Sequence, residues 1–97
     1  MSGSEPRFDA EIHAPVRLRV CGALSEVEAV EFAVLRDQLG VADSVLSKHL
    51  ARLEDAGYVE LRKGAAGGRP RTWAALTARG RAAFAGHVAA LREIAGL

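Results

Sequence analysis

The sequence predicts a mainly α-helical domain that carries one small β-hairpin. Three observations lead there. Apolar residues recur at helical spacing over the first half of the chain. The period changes to two between Tyr58 and Leu76, with glycines in the middle. Helical spacing then returns from Thr77 to the end. At 97 residues, 49% apolar and 26% charged, the chain has the size of one domain with a modest core.

Residues 1–7 read as a disordered tail ahead of a domain spanning 8–97. Phe8 and Ile12 stand one helical turn apart. Pro15 suits the first turn of a helix over roughly 15–25, where its missing N–H costs nothing. That helix has Val16, Val20, Ala23 and Leu24 on one stripe and Leu18 and Cys21 on a second. EAVEF (28–32) has room for a very short strand. A helix through FAVLRDQL follows, with Phe32, Leu35 and Leu39 on its buried face and Gly40 as its stop. After a short turn, the next helix starts near Asp43, whose carboxylate is expected to cap it, and ends at Gly57, well placed as a left-handed C-cap. Val59 and Leu61, then Thr72, Ala74 and Leu76, alternate as two strands joined by a long glycine-rich tip. Thr77 is expected to cap a last helix, with Phe84, Val88, Leu91 and Ala95 on one stripe and Ala83, Ala90, Ile94 and Leu97 on another.

Helix, helix, turn, helix, hairpin, helix is the order of a winged helix-turn-helix. In the helix from Asp43, Leu46, Leu50 and Leu53 form the anchoring face. Its other side presents Ser44, Val45, Ser47, Lys48, Ala51 and Arg52, and no acid occurs between Ser44 and Arg52. Glu54 and Asp55 come only at its end. A groove lined with phosphates demands that polarity, because a carboxylate near the helix start would meet like charge. Ser44 and Ser47 can hydrogen-bond base edges or phosphates, Lys48 can reach guanine O6/N7, and Val45 can touch a thymine methyl. Arg52, one turn further along, is placed to bind the backbone and set register.

RKGAAGGRPRTW (62–73) adds Arg62, Lys63, Arg69 and Arg71, with Gly64, Gly67 and Gly68 allowing close approach and unusual backbone angles. Arg69 and Arg71, held extended by Pro70, suit a narrow minor groove. The plainer alternatives are a hairpin tip kept soluble by charge and a scaffold helix whose basic side meets only water. Net charge is only +1, because residues 25–43 hold Glu26, Glu28, Glu31, Asp37 and Asp43 against Arg36 alone. The basic character is local.

HAPVRLRVCGAL, LSKHLARLEDAGYVE, GGRPRTW and LTARGRAAF resemble the small winged-helix transcriptional regulators of bacteria and archaea related to the MarR and ArsR groups. The resemblance covers residue 8 to about 91. It implies a homodimer on a pseudo-palindromic operator, with Ser44, Val45, Ser47, Lys48 and His49 on or beside the reading surface. Two positions depart from the pattern: Ala42 stands where Ser or Thr is frequent, and Ala74 where an aromatic is frequent, with Trp73 as its neighbour. That leaves hairpin packing, a dimer contact or a DNA contact open for Trp73.

Two apolar stripes on both the first long helix and the last helix are hard to bury within one copy. A symmetric dimer covering Leu18, Cys21, Val88, Ala90, Leu91, Ile94 and Leu97 is the simplest closed solution. It would set two recognition helices about 34 Å apart, matching successive major grooves. His13, Cys21, His49 and His87 lack metal-site spacing, so no metal or other cofactor is expected. No nucleophile–base spacing or phosphate loop points to an enzyme. No apolar run reaches the roughly eighteen residues of a membrane helix, no signal peptide opens the chain, and the one cysteine fits a reducing compartment. A cytoplasmic, nucleoid-associated regulator, most simply a repressor, is therefore expected, with any small-molecule effector unknown. The alternative is a winged-helix module that binds a protein instead.

Overall fold

The computed structural model describes residues 5–97. The element order is α1 (Ala10–His13), α2 (Pro15–Ser25), β1 (Val30–Glu31), α3 (Phe32–Leu39), α4 (Asp43–Asp55), β2 (Val59–Ala66), β3 (Arg69–Leu76) and α5 (Ala78–Ala95). The three strands form one antiparallel sheet in the order β1-β3-β2. The short strand expected in EAVEF pairs Val30 with Ala74 and Glu31 with Trp73.

Helix α2 is the hub: α1, α3, α4, α5 and β3 all pack against it. Its Val20, Cys21 and Leu24 join Ile12, Leu35, Leu46, Leu50, Leu53, Val59 and Leu76 in one core. This overturns part of the dimer expectation. Both stripes of α2 find cover inside one copy, and Cys21, assigned above to the interface, has no exposed surface. Its burial pushes the thiol pKa up to about 12, so Cys21 is a packing residue rather than a reactive one.

The helix ends follow local chemistry. Gly40 closes α3 at φ 67°. At the end of α4, the Tyr58 N–H bonds the Leu53 carbonyl and the Gly57 N–H bonds the Glu54 carbonyl, a Schellman motif with Gly57 at φ 82°. The Thr77 hydroxyl caps α5 by accepting from the Gly80 N–H at 2.9 Å. The cap expected from Asp43 is absent. Ala42 holds the N-cap position without a side-chain bond, and the Asp43 carboxylate, in the first turn of α4, instead accepts from Arg36 Nη1 at 2.9 Å. It still lies at the end of the helix that favours negative charge.

The hairpin differs most from expectation. The ladder continues through the supposed tip to Ala66↔Arg69, which leaves a two-residue turn, Gly67-Gly68, with φ 59° and 77°. Positive φ at both positions is the type I′ geometry that matches strand twist. In such a hairpin, pairs alternate outward from the hydrogen-bonded pair beside the turn, so Ala65↔Pro70 is a non-hydrogen-bonded pair and Pro70 removes no bond to β2. Gly64 lies within β2. A Cβ there would stand 3.0 Å from the Trp73 ring, so this glycine makes room for the indole to lie across the hairpin. Hairpin packing is thus a role Trp73 performs.

The N-terminal segment is tied down from Arg7, which had been placed in the tail: its N–H bonds the Gly86 carbonyl at 2.9 Å. Residues 1–4 of that tail lie outside the described residues. Asp9 caps α1, accepts from the Tyr58 hydroxyl, and donates its own N–H to Nδ1 of the fully buried His87 at 2.9 Å. His87 Nε2 faces His13 Nδ1 at 3.2 Å, and the Phe8 ring packs on both imidazoles.

Candidate nucleic-acid interface

Leu46, Leu50 and Leu53 anchor α4 in the core, and this fixes which residues face out. Ser44, Ser47, Lys48, Ala51 and Arg52 are exposed, and Val45 is 38% exposed. Ser47 and Ala51 form one wall of a groove of about 530 Å³ between α4 and the hairpin. Lys63, Pro70 and Thr72 stand on the opposite wall, and Phe32 at the start of α3 closes one side. The hairpin therefore stands beside the outer face of the helix, as the element order implied.

His49 does not share that face. It is half-buried on the side of α4 turned toward α2, where its Nδ1 accepts from Arg17 Nη1 at 3.1 Å. Burial, with Arg17, Arg52 and Lys48 nearby, keeps its pKa below the ordinary imidazole value. Of the two placements expected for His49, on or beside the reading surface, its half-buried position fits the second. It is a support for α4, fixed by a buried arginine.

The six cations singled out from the sequence fall into two groups. Lys48, Lys63 and Arg69 are exposed and have no ion-pair partner among the described residues. Arg52, Arg62 and Arg71 each face a carboxylate. Arg52 takes both oxygens of Glu11, at 3.1 and 3.0 Å. Arg62 pairs with Glu60 at 3.0 Å and lies 3.8 Å from Glu28. Arg71 Nε is 3.5 Å from Glu31, buried, and without a hydrogen-bond partner among the described residues. Arg71 is thus drawn back to the base of the hairpin rather than extended with Arg69.

The acidic partners were visible as letters but not as neighbours. Glu11 meets Arg52 across 41 positions of sequence, and Glu31 reaches Arg71 only because β1 pairs with β3. A cross-strand argument could have found the second, had β1 been given a partner. Nothing in the spacing could have found the first. No cluster of three or more His, Cys, Asp or Glu side chains able to hold a metal occurs among the described residues.

An anchored helix whose exposed run from Ser44 to Arg52 carries no carboxylate, beside a hairpin bearing unpaired cations, defines a winged-helix DNA-binding regulator. Residues 16–95 match the family described as winged helix DNA-binding domain, and the chain belongs to that family. It is 36% identical over 73 residues to the uncharacterized protein MJ0432 of Methanocaldococcus jannaschii, a match spanning 75% of this chain and 79% of that one. Among solved structures, a transcriptional regulator homologue from Pyrococcus horikoshii superposes with a TM-score of 0.84 at 26% identity, over 89% of this chain and 85% of the other. The transcriptional repressor BigR from Xylella fastidiosa gives 0.64 at 30% identity, over 87% and 75%. The likeness to MarR- and ArsR-type regulators drawn from the sequence motifs thus holds for the fold and for the class of function. No helix among the described residues is long and apolar enough to cross a membrane.

Proposed function

We propose that this protein is a sequence-specific double-stranded-DNA-binding repressor that acts as a homodimer on a pseudo-palindromic operator. Helix α4 enters the major groove, and the hairpin lies on the adjacent minor groove or backbone. The observation that carries this is the exposed strip Ser44, Ser47, Lys48 and Ala51, which bears no carboxylate, with Lys63 across the groove and Arg69 exposed beside the hairpin turn. Ser44, Val45, Ser47 and Lys48 contact base edges, whereas Lys63 and Arg69 contact phosphate or a narrow minor groove. A repressor role is supported by the likeness to BigR, itself a transcriptional repressor.

The dimer rests on α5. Ile94 is 72% and Leu97 92% exposed, with Val88 and Leu91 half-buried beside them. An apolar edge of that kind at the end of an otherwise packed helix fits a second copy of itself, and Leu18 on α2, packed against the core but only half-buried, keeps an exposed side for the same contact. Cys21 takes no part.

Binding to genomic promoter fragments across a salt series tests the proposal. Lys63 and Arg69 on phosphates, presented twice, give a log–log slope of roughly −4. Lys48→Ala should change which fragments are retained, while Arg69→Ala should weaken all of them about equally. A slope near zero, with no fragment preferred, counts against DNA recognition. Identical losses from both substitutions count against the division between helix and wing.

A further inference from the structure

We propose that Glu11 is a built-in competitor for the DNA backbone, one that holds the Arg52 guanidinium in a two-pronged ion pair so that it reaches a phosphate only by leaving the carboxylate. This rests on the DNA-binding function proposed above and adds a positioning residue outside the recognition helix.

Three features support it. First, Arg52 stands one helical turn beyond Lys48 on the solvent side of α4, with its side chain 57% exposed, so a phosphate has access to it. Second, the contact matches the geometry a phosphate would use: Nε and Nη2 each meet one oxygen, at 3.1 and 3.0 Å. Parallel N–H···O bonds of this kind serve carboxylate and phosphate equally. Third, Glu11 is held in place. Its N–H bonds the Asp9 carboxylate at 2.9 Å, its carbonyl accepts from Arg17 Nε, and neighbouring Ile12 is fully buried. Asp9 is in turn fixed by Tyr58 and His87. The carboxylate is presented to Arg52 from a short, anchored helix rather than from a mobile tail.

The other two masked arginines do not share this arrangement. Arg62 is held by Glu60 of its own strand, with Glu28 no nearer than 3.8 Å, and Arg71 is partly withdrawn from solvent. Among the described residues, only Glu11 reaches a recognition-helix cation from a separate element. A surface pair of this sort is weak enough to be exchanged. Exchange leaves the Glu11 carboxylate unpaired close to DNA, which opposes binding. Wild-type protein should therefore bind as though α4 offered Lys48 alone.

The test compares wild type, Glu11→Gln, Arg52→Gln and the double substitution, using fluorescence anisotropy of a labelled mixed-sequence duplex over a potassium chloride series. Freeing Arg52 should steepen the log–log salt slope of Glu11→Gln by about 0.9 per subunit, and its advantage over wild type should shrink about three-fold per subunit between roughly 50 and 200 mM salt. Arg52→Gln should keep the wild-type slope, and in that background Glu11→Gln should leave the slope unchanged. A purely structural role would lower the melting temperature of Glu11→Gln without steepening its slope.

If wild type binds duplex and Glu11→Gln has the same slope, the competitor role is wrong while DNA binding stands. If no variant binds duplex even at low salt, both fall. Binding by Glu11→Gln alone would be the strongest support. Should Glu11→Gln fail to fold, Glu11→Asp keeps the charge but is one methylene too short to hold both nitrogens. A wild-type slope in that variant overturns the proposal equally well.

Discussion

Helices α2 and α5 look alike as sequence, each apolar on two stripes, yet they are used in opposite ways. Helix α2 buries large side chains, Val20, Cys21 and Leu24, between α1, α3, α4, α5 and β3. Helix α5 buries Gly80, Gly86, His87 and Ala90 and leaves Ile94 and Leu97 bare. Beside Phe84 and His87, its docking face has small residues where backbone approaches backbone. A Cβ on Gly80 would stand 2.0 Å from the Tyr58 carbonyl oxygen, and one on Gly86 would stand 3.2 Å from the Glu5 carbonyl oxygen. Apolar periodicity reports that a face will be covered. It does not report whether the cover is the same chain or another.

The largest effect that tests this contrast is in α2. Leu24→Ala should cost about 3–5 kcal/mol, from lost transfer energy and the cavity left among packed neighbours. Urea unfolding with an unchanged slope and a lowered midpoint is the measurement. A cost near 1 kcal/mol would mean that α2 is not the hub.

Gly80→Ala comes next. In an exposed helix this change stabilises by up to about 1 kcal/mol through backbone entropy. Here the clash with a carbonyl that Thr77 and the sheet hold in place should reverse the sign, for a net loss of about 2 kcal/mol. A variant that melts above wild type would show that α5 does not sit this closely on the Tyr58 turn.

Much of the fold was legible because local chemistry and global packing agree. Pro15, Gly40, Gly57 and Thr77 mark helix ends where they were expected. The leucines of α4 fixed its outer face, and with it the strip Ser44, Ser47, Lys48. What was hidden depends on long-range partners. Asp43 was free to cap until Arg36 claimed it. Gly64 read as loop because its reason, the Trp73 ring, sits across the strand. His49 lies at the margin of the buried leucine stripe, and only Arg17 decides which way it turns. Arg52 read as a free cation because Glu11 belongs to a helix of four residues.

The polar end of the α5 contact gives a smaller effect. Buried His87 accepts from the Asp9 N–H, faces His13 and lies against Phe8. Burial, and then His13, hold its pKa below the ordinary imidazole value, with Asp9 opposing. The unfolded chain therefore binds a proton more readily than the fold does. Stability should be level above about pH 6.5 and fall as the pH drops below it, by at most about 1.4 kcal/mol per pH unit for this group. His49, shifted in the same direction, adds to the slope. His87→Gln, which can still accept the Asp9 bond, should flatten the dependence without abolishing it. An unchanged pH profile would mean that His87 does not titrate with unfolding.

The smallest effect on the single chain discriminates most sharply. Ile94→Ser removes an exposed side chain that touches little of its own copy, so monomer stability should move by less than about 0.5 kcal/mol. If Ile94 is covered by a second copy, the same substitution should shift sedimentation toward the monomer. It should also make the melting temperature lose its dependence on protein concentration. It acts on a face whose packing is absent from one chain, so it separates the two uses of an apolar stripe directly. A variant that remains dimeric would place the self-contact elsewhere and leave the bare end of α5 to a different partner.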